Sequence, residues 1–213
     1  MKYKLTNQEM QTYNGFQWEL GKWYEINNLD ENEDLCSPYW FHFYHHPLLA
    51  VLLNTAHADI DNPRLFEIEI DGLQKDDNGL KGGCTRMKLA KEIELPEITT
   101  EQRVKFAIYC ALEVYDDSSF VQWANDWLSG KDRSATTAAE AASAARAVAW
   151  VARAAEAAAS AARATTAAEA ATTAAEAATW AAWATTAAAT ARAATTAATE
   201  DIDLITIAQK AVK

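Results

Sequence analysis

Glycine and proline are scarce in this 213-residue chain, with seven and four copies, and neither occurs after Gly130. Residues 131–213 therefore lack the residues that break a helix through backbone chemistry. Positive charge is also short: 19 Lys and Arg stand against 30 Asp and Glu, a net charge of −11. Phosphate backbones and anionic membranes require a basic face, so neither nucleic acid nor a membrane is an expected partner. Bulky apolar runs of about 18 residues are missing, so nothing reads as a bilayer span. Met1 to Met10 lacks the apolar centre of a signal peptide, which sets the expectation of a cytoplasmic protein. The three cysteines, Cys36, Cys84 and Cys110, are odd in number and without CxxC spacing. That fits reduced thiols rather than a disulfide framework. Neither a phosphate-binding P-loop spacing nor an EF-hand spacing is present.

What is present divides by composition. Half of the residues are apolar by type, yet the mean hydropathy is −0.23, because so many of them are alanine. Residues 1–98 read as a small β-rich domain. Phe16-Gln-Trp-Glu-Leu20 alternates, Gly21-Lys22 turns, and Trp23-Tyr-Glu-Ile26 follows, which predicts a hairpin. Asn27 to Asp34 reads as an acidic, solvated loop. Pro47 opens an apolar run, Leu48 to Leu53, which predicts a short buried helix. Leu65-Phe-Glu-Ile-Glu-Ile70 alternates strictly and predicts a strand. Asp76-Asp-Asn-Gly79 predicts a turn, and Thr85 to Leu95 a second strand, ended by Pro96.

Residues 99–130 shift to helical period. Thr99 or Thr100 is placed to cap a helix with Glu101 in its first turn. Val104, Ile108, Ala111, Leu112 and Tyr115 then share a face. A second helix is expected from Phe120 to Leu128. Residues 131–213 form the Ala-rich part: 37 of the 65 residues from Ala135 to Thr199 are alanine, the strongest helix former. Thr137-x-x-Glu140, Thr166-x-x-Glu169 and Thr173-x-x-Glu176 match capping boxes. They predict an antiparallel helical array rather than one rod. The larger residues, Trp150, Trp180 and Trp183 among them, recur about every 3.3 positions, a left-handed drift. A last helix over residues 201–212 would face inward through Ile202, Ile205, Ala208 and Val212. The expected fold class is thus α+β: a β-rich N-terminal domain, a helix pair and an Ala-rich array.

The segments Gly15-Phe-Gln-Trp-Glu-Leu-Gly-Lys22, Phe41-His-Phe-Tyr-His-His-Pro-Leu-Leu-Ala-Val51, Asn62-Pro-Arg-Leu-Phe-Glu67 and Gly79-Leu-Lys-Gly-Gly-Cys84 carry a resemblance. So do Phe106 to Tyr115 and Trp123 to Ser134. Together they resemble an uncharacterised protein family of tailed phages and environmental bacteria. The Ala-rich region is similar to the tails of bacterial immunity proteins. The resemblance implies a phage context and supplies no chemistry of its own.

The densest chemistry lies in Tyr39-Trp-Phe-His-Phe-Tyr-His-His46. Histidines 42, 45, 46 and 57 with Asp59 raise the question of a metal. His42 and His46 share a strand face while His45 opposes them, so a half-buried aromatic strand with satisfied histidines is the simpler reading. No metal or cofactor is expected. The same segment suits a ligand platform: Trp40 and Tyr44 as stacking rings, and His42, His45 and His46 as polar contacts. Lys81, Gly82, Gly83 and Arg86 would supply the phosphate end, with glycine N–H groups and local positive charge. An ordinary Gly-Gly turn beside a solvated basic strand is the plain alternative. A Cys–His nucleophile pair, Cys36 or Cys84 with His42 or His57, has no local sequence support. Thr179 and Thr190, like Thr185 and Thr196, are spaced by eleven as in ice-binding helices, but the rest of the array breaks that spacing.

These features together lead to the expectation of a non-enzymatic phage-type accessory protein for counter-defence. It would sequester a nucleotide-like signal or bind a host defence protein. Its Ala-rich helices would form a homo-oligomer. Two alternatives stand beside it. One is a nucleotide-acting enzyme using His42, His45 and Glu67 or Glu69. The other is a structural, self-assembling helical protein.

Overall fold

The alternating run at Leu65–Ile70 opens the longest strand of the molecule, β6 (Arg64–Asp76), which folds back on β7 (Gly82–Ile93). This is a computed structural model, and it describes residues 1–27, 34–77, 79–113, 115–138 and 203–213. Contacts divide the chain into two units, Met1–Glu97 and Ile98–Lys213. It is an α+β protein. The acidic loop at 28–33 and the Ala-rich array at 139–202, with Trp150, Trp180 and Trp183, lie outside the described residues.

The first unit also holds β1 (Lys2–Thr6), β2 (Gln11–Thr12), β3 (Phe16–Gln17), β4 (Trp23–Glu25), β5 (Phe41–Phe43) and helix α1 (Pro47–His57). β1, β6 and β7 are antiparallel neighbours, and both β4 and β5 pair with the far edge of β7. Just past β5, Tyr44 exchanges two backbone hydrogen bonds with Tyr3 of β1, at 2.9 and 2.8 Å. The sheet therefore curls until its first strand meets the end of β5, which closes it on itself and satisfies two open edges. A bulge between Asp71 and Gln74 helps this curvature. There Gly72 adopts a positive φ of 75°, and the Thr85 hydroxyl accepts the Leu73 N–H at 3.0 Å.

Trp18, Phe41, Phe43, Phe66, Ile68, Cys84, Met87 and Leu89 make the core of this sheet. Each large side chain buried there contributes about 1.5–3 kcal/mol. The turn at Asp76–Gly79 forms as expected, with the Asp76 carboxylate accepting the Gly79 N–H at 2.8 Å. The hairpin expected between Phe16–Leu20 and Trp23–Ile26 does not form. β3 pairs with β2, and β4 pairs with β7. Local alternation marked the strands but held no information about such distant partners. α1 begins at Pro47, as its first-turn proline requires, and His46 caps it: Nδ1 accepts the Leu48 N–H at 3.2 Å. Its buried stretch Leu49–Leu53 packs the helix onto β1.

The second unit contains α2 (Thr100–Leu112), α3 (Ser118–Leu128) and α4 (Leu204–Ala211). Thr99 caps α2 through a reciprocal box with Gln102, at 3.2 and 2.8 Å. Asp117 caps α3, which buries Phe120, Trp123, Ala124 and Trp127. α4 starts behind Asp203, whose carboxylate accepts the Thr206 N–H at 3.0 Å. That cap sets the helix phase so that Leu204, Ile207, Ala208 and Ala211 are buried. The expected face through Ile205 and Val212 is half-buried instead. Residues 135–138 are helical and follow Ser134 rather than Thr137: the Ser134 hydroxyl accepts the Thr137 N–H at 3.3 Å.

Candidate functional site

Lys81 stands at the mouth of β7, where the hairpin turn hands the chain into the sheet. Its side chain is only 9% exposed, and its ammonium donates to Cys36 Sγ at 3.2 Å. No carboxylate among the described residues pairs with it. Cys36 lies in the segment that precedes β5. Its neighbour Leu35 is tied down by His42 of β5, whose Nε2–H donates to the Leu35 carbonyl at 2.5 Å. His57, in the last turn of α1, stacks on the Tyr44 ring, 6.2 Å between centroids and 8° between planes. Ser37 Oγ and His57 Nδ1 are buried and without a hydrogen-bond partner among the described residues.

The electrostatics of this corner are one-sided. Burial pushes His57 down to about 4, and the Lys81 ammonium and the His42 ring add to it. Burial pushes His42 down to about 4 as well. The Leu35 carbonyl partly opposes this, and the charges of Lys4 and Lys81 reinforce it. Both rings are therefore neutral at pH 7, chiefly because they are buried and secondarily because positive charge lies close by. Lys4 is the second cation. It is 7% exposed, donates to the His42 carbonyl at 2.8 Å and sits 5.0 Å from the Trp18 ring centre. Burial lowers it to about 8. Cys84 nearby is pushed by burial to about 12, so it is a neutral thiol. Among the described residues such an arrangement has donors and positive charge, and no carboxylate pairs with Lys81.

The residues expected to form a ligand platform divide into several roles. Trp40 and Tyr44 are each 5% exposed. They are core residues and present no open stacking face, which corrects that expectation. Burial also pushes the Tyr44 phenol up. Gly82 and Gly83 are not a phosphate loop. They lie inside β7, opposite Phe43 and His42 of β5. A methyl group on Gly82 would enter the Phe43 ring, and one on Gly83 would collide with Leu35 and come within 3.0 Å of Trp40 Cβ. Glycine is needed there so that aromatic side chains can lie flat on the strand. Arg86 is spent elsewhere: it bonds Asp71 at 2.6 Å and lies 4.4 Å over the Trp23 ring. His45 bridges Lys2 and Asp76, at 2.5 Å to each, and His46 is the cap of α1. Glu69, considered for an enzymatic site, pairs with Lys88 at 2.8 Å.

Of the nine expected residues, the structure gathers His42 and Lys81 in one place and joins Cys36 and His57 to them; Ser37 follows Cys36 in sequence. Cys36 had been weighed only as a nucleophile, and His57 as its partner or as a metal ligand. Ser37 and Lys4 gave no signal, since a serine before proline and a lysine in an N-terminal strand are ordinary surface residues by type. Among the described residues, no group of three or more His, Cys, Asp or Glu side chains is placed to hold a metal ion, and no helix is long and apolar enough to cross a membrane.

Fold and site define a class: a small, closed antiparallel sheet domain with an enclosed cationic corner beneath a covering helix. Residues 1–101 match the family model described as Domain of unknown function (DUF7666). That match takes in the whole of the first unit. No curated protein and no solved structure matches the chain.

Proposed function

We propose that the N-terminal unit is a non-enzymatic binding module that captures a small anion-bearing molecule at Lys81, in keeping with a nucleotide-derived signal. The observation that carries this is a lysine only 9% exposed whose ammonium, among the described residues, meets a thiol rather than a carboxylate. A buried cation without a counterion is costly. A phosphate or carboxylate would offset that cost and accept hydrogen bonds from Lys81 and from the neutral His57 ring, whose Nδ1 has no partner among the described residues. In this reading the molecule is a phage-type accessory protein of the host cytosol that sequesters a defence signal, and the Ala-rich segment gathers copies into a homo-oligomer. The phage-like segments and the absence of a recognisable catalytic motif in the sequence support it.

The test is titration calorimetry of the full chain against inorganic phosphate and a panel of mono- and cyclic nucleotides, with ultraviolet absorbance of anything released on denaturation. Lys81→Met should weaken binding at least about tenfold, the scale of one lost charged hydrogen bond. Arg86→Gln should leave it unchanged. No heat and no released chromophore would overturn the reading. Turnover of a bound nucleotide would replace it with the enzymatic one.

A further inference from the structure

We propose that Cys36 and Lys81 form an oxidative covalent cross-link, a sulfenamide between Sγ and Nζ, when the protein meets a hydroperoxide. The two atoms are already 3.2 Å apart. They differ in access in the way the reaction requires. Cys36 is exposed, whereas Cys84 and Cys110 are buried, so an oxidant in solution reaches one thiol. Reactive thiols sit in partly exposed, electropositive surroundings, and here the electropositive group is itself the second reactant. Lys81 is enclosed, with no carboxylate among the described residues to draw its amine away from sulfur. The His42 bond to the Leu35 carbonyl, at 2.5 Å, tethers the residue next to Cys36 and so limits its drift from the amine.

The chemistry balances in two steps. The Cys36 thiolate attacks one oxygen of the hydroperoxide and the O–O bond breaks. Sulfenic acid forms, and the leaving oxygen departs, protonated, as water or alcohol. Sulfur is oxidised and the peroxide reduced. The Lys81 amine, having lost its ammonium proton to solvent, then attacks sulfur. The N–S bond forms, the S–O bond breaks, and the hydroxyl leaves as water with the second amine proton. The chain ends two hydrogens lighter, and a thiol reductant restores both residues. The cross-link also removes the Lys81 charge, so on the proposed reading of the site oxidation would release a bound anion. The cross-link itself does not depend on that reading.

The experiment is a tryptic map of the full chain after brief exposure to dilute hydrogen peroxide, with and without dithiothreitol. The expected product joins peptide 23–64, which holds Cys36, to peptide 76–86 with no cleavage after Lys81, and disappears on reduction. Lys81→Arg keeps the positive charge without a nucleophilic amine. Its Cys36 should stop at sulfenic acid and be trapped by dimedone. A map from wild type alone decides the matter if that variant does not fold. A wild-type product cut after Lys81 and joined through Cys84 or Cys110 is a disulfide, and it would overturn the proposal. So would a stable sulfenic acid, disulfide-linked dimers, or an unreacted Cys36 in wild type. Loss of anion binding without the joined peptide would overturn it too. The joined peptide without anion binding would leave it standing and remove the binding reading instead.

Discussion

Replacing Lys4 with methionine should flatten the dependence of the first unit's stability on pH between 7 and 9. Lys4 is held at about 8 instead of its ordinary 10.5 because its amine is enclosed by β1, the Trp18 ring and the β5 backbone. Between those two values the unfolded chain keeps the proton and the folded chain has lost it. The unfolded state therefore binds more protons, and stability rises with pH across that window. At about 1.4 kcal/mol per pH unit, the charged amine costs the fold about 3 kcal/mol at neutral pH. About 1 kcal/mol of this is recovered by pH 9. Above pH 9 Cys84 works in the opposite sense, since its thiol is raised from 9.0 to about 12, so the clean window ends there. The assay is pulsed thiol labelling of Cys84 across a urea series at pH 7, 8 and 9. That sulfur is 0% exposed and reacts only when the sheet opens. Wild type should gain about 1 kcal/mol from pH 7 to 9 relative to Lys4→Met. An identical pH slope in the two proteins would show that the amine is solvated, and the reasoning would fail.

Three further outcomes are expected, two from the first unit's packing and titration and one from the Ala-rich sequence. Gly83→Ala should lower stability by about 1–3 kcal/mol in the same labelling assay, because the added methyl overpacks Leu35 and Trp40; a neutral result would mean the strand is not held against that layer. Acid should weaken the first unit as pH falls from 6.5 through 4, the interval in which the unfolded chain protonates His42 and His57 and the folded one does not. Each ring contributes up to about 3 kcal/mol, and His57→Phe should remove its share of the loss. Light scattering of the full chain should give a mass of several copies, reduced by changing Ala182 and Ala187 to Glu; a single-chain mass over a wide concentration range would dismiss assembly through the Ala-rich segment.

Local rules carried a good part of the fold. The strict alternation of Leu65–Ile70, Pro47 at the head of an apolar run, and Thr99 before Glu101 each mark an element that forms where expected. Pairing was less legible. Nothing in Trp23-Tyr-Glu25 says that its partners are Arg86, Met87 and Lys88 rather than the strand beside it. Register between distant segments is decided by the whole core and not by neighbours in sequence. The site suffered most from this. Gly82-Gly83 looks the same whether it cradles a phosphate or makes room for a ring, and only the register with Phe43 distinguishes the two. Lys81 was visible as a cation near aromatics. Its true companions arrive from the loop before β5 and from the end of α1, which no spacing rule brings together.

The place of β7 as the shared partner of β4, β5 and β6 has a consequence for synthesis on the ribosome. β4 and β5 emerge early, but neither has a sheet partner until Gly82–Ile93 leaves the exit tunnel. Until then their N–H and C=O groups and the rings of Phe41 and Phe43 must remain hydrated or be shielded by a chaperone. The last strand then closes its local hairpin with β6 and takes up β4 and β5 together, the two distant pairings being the slow class of folding step. A chain cut anywhere before Gly82 would strand both segments at once, so ribosome-stalled fragments of this length should be drawn to chaperones and to one another.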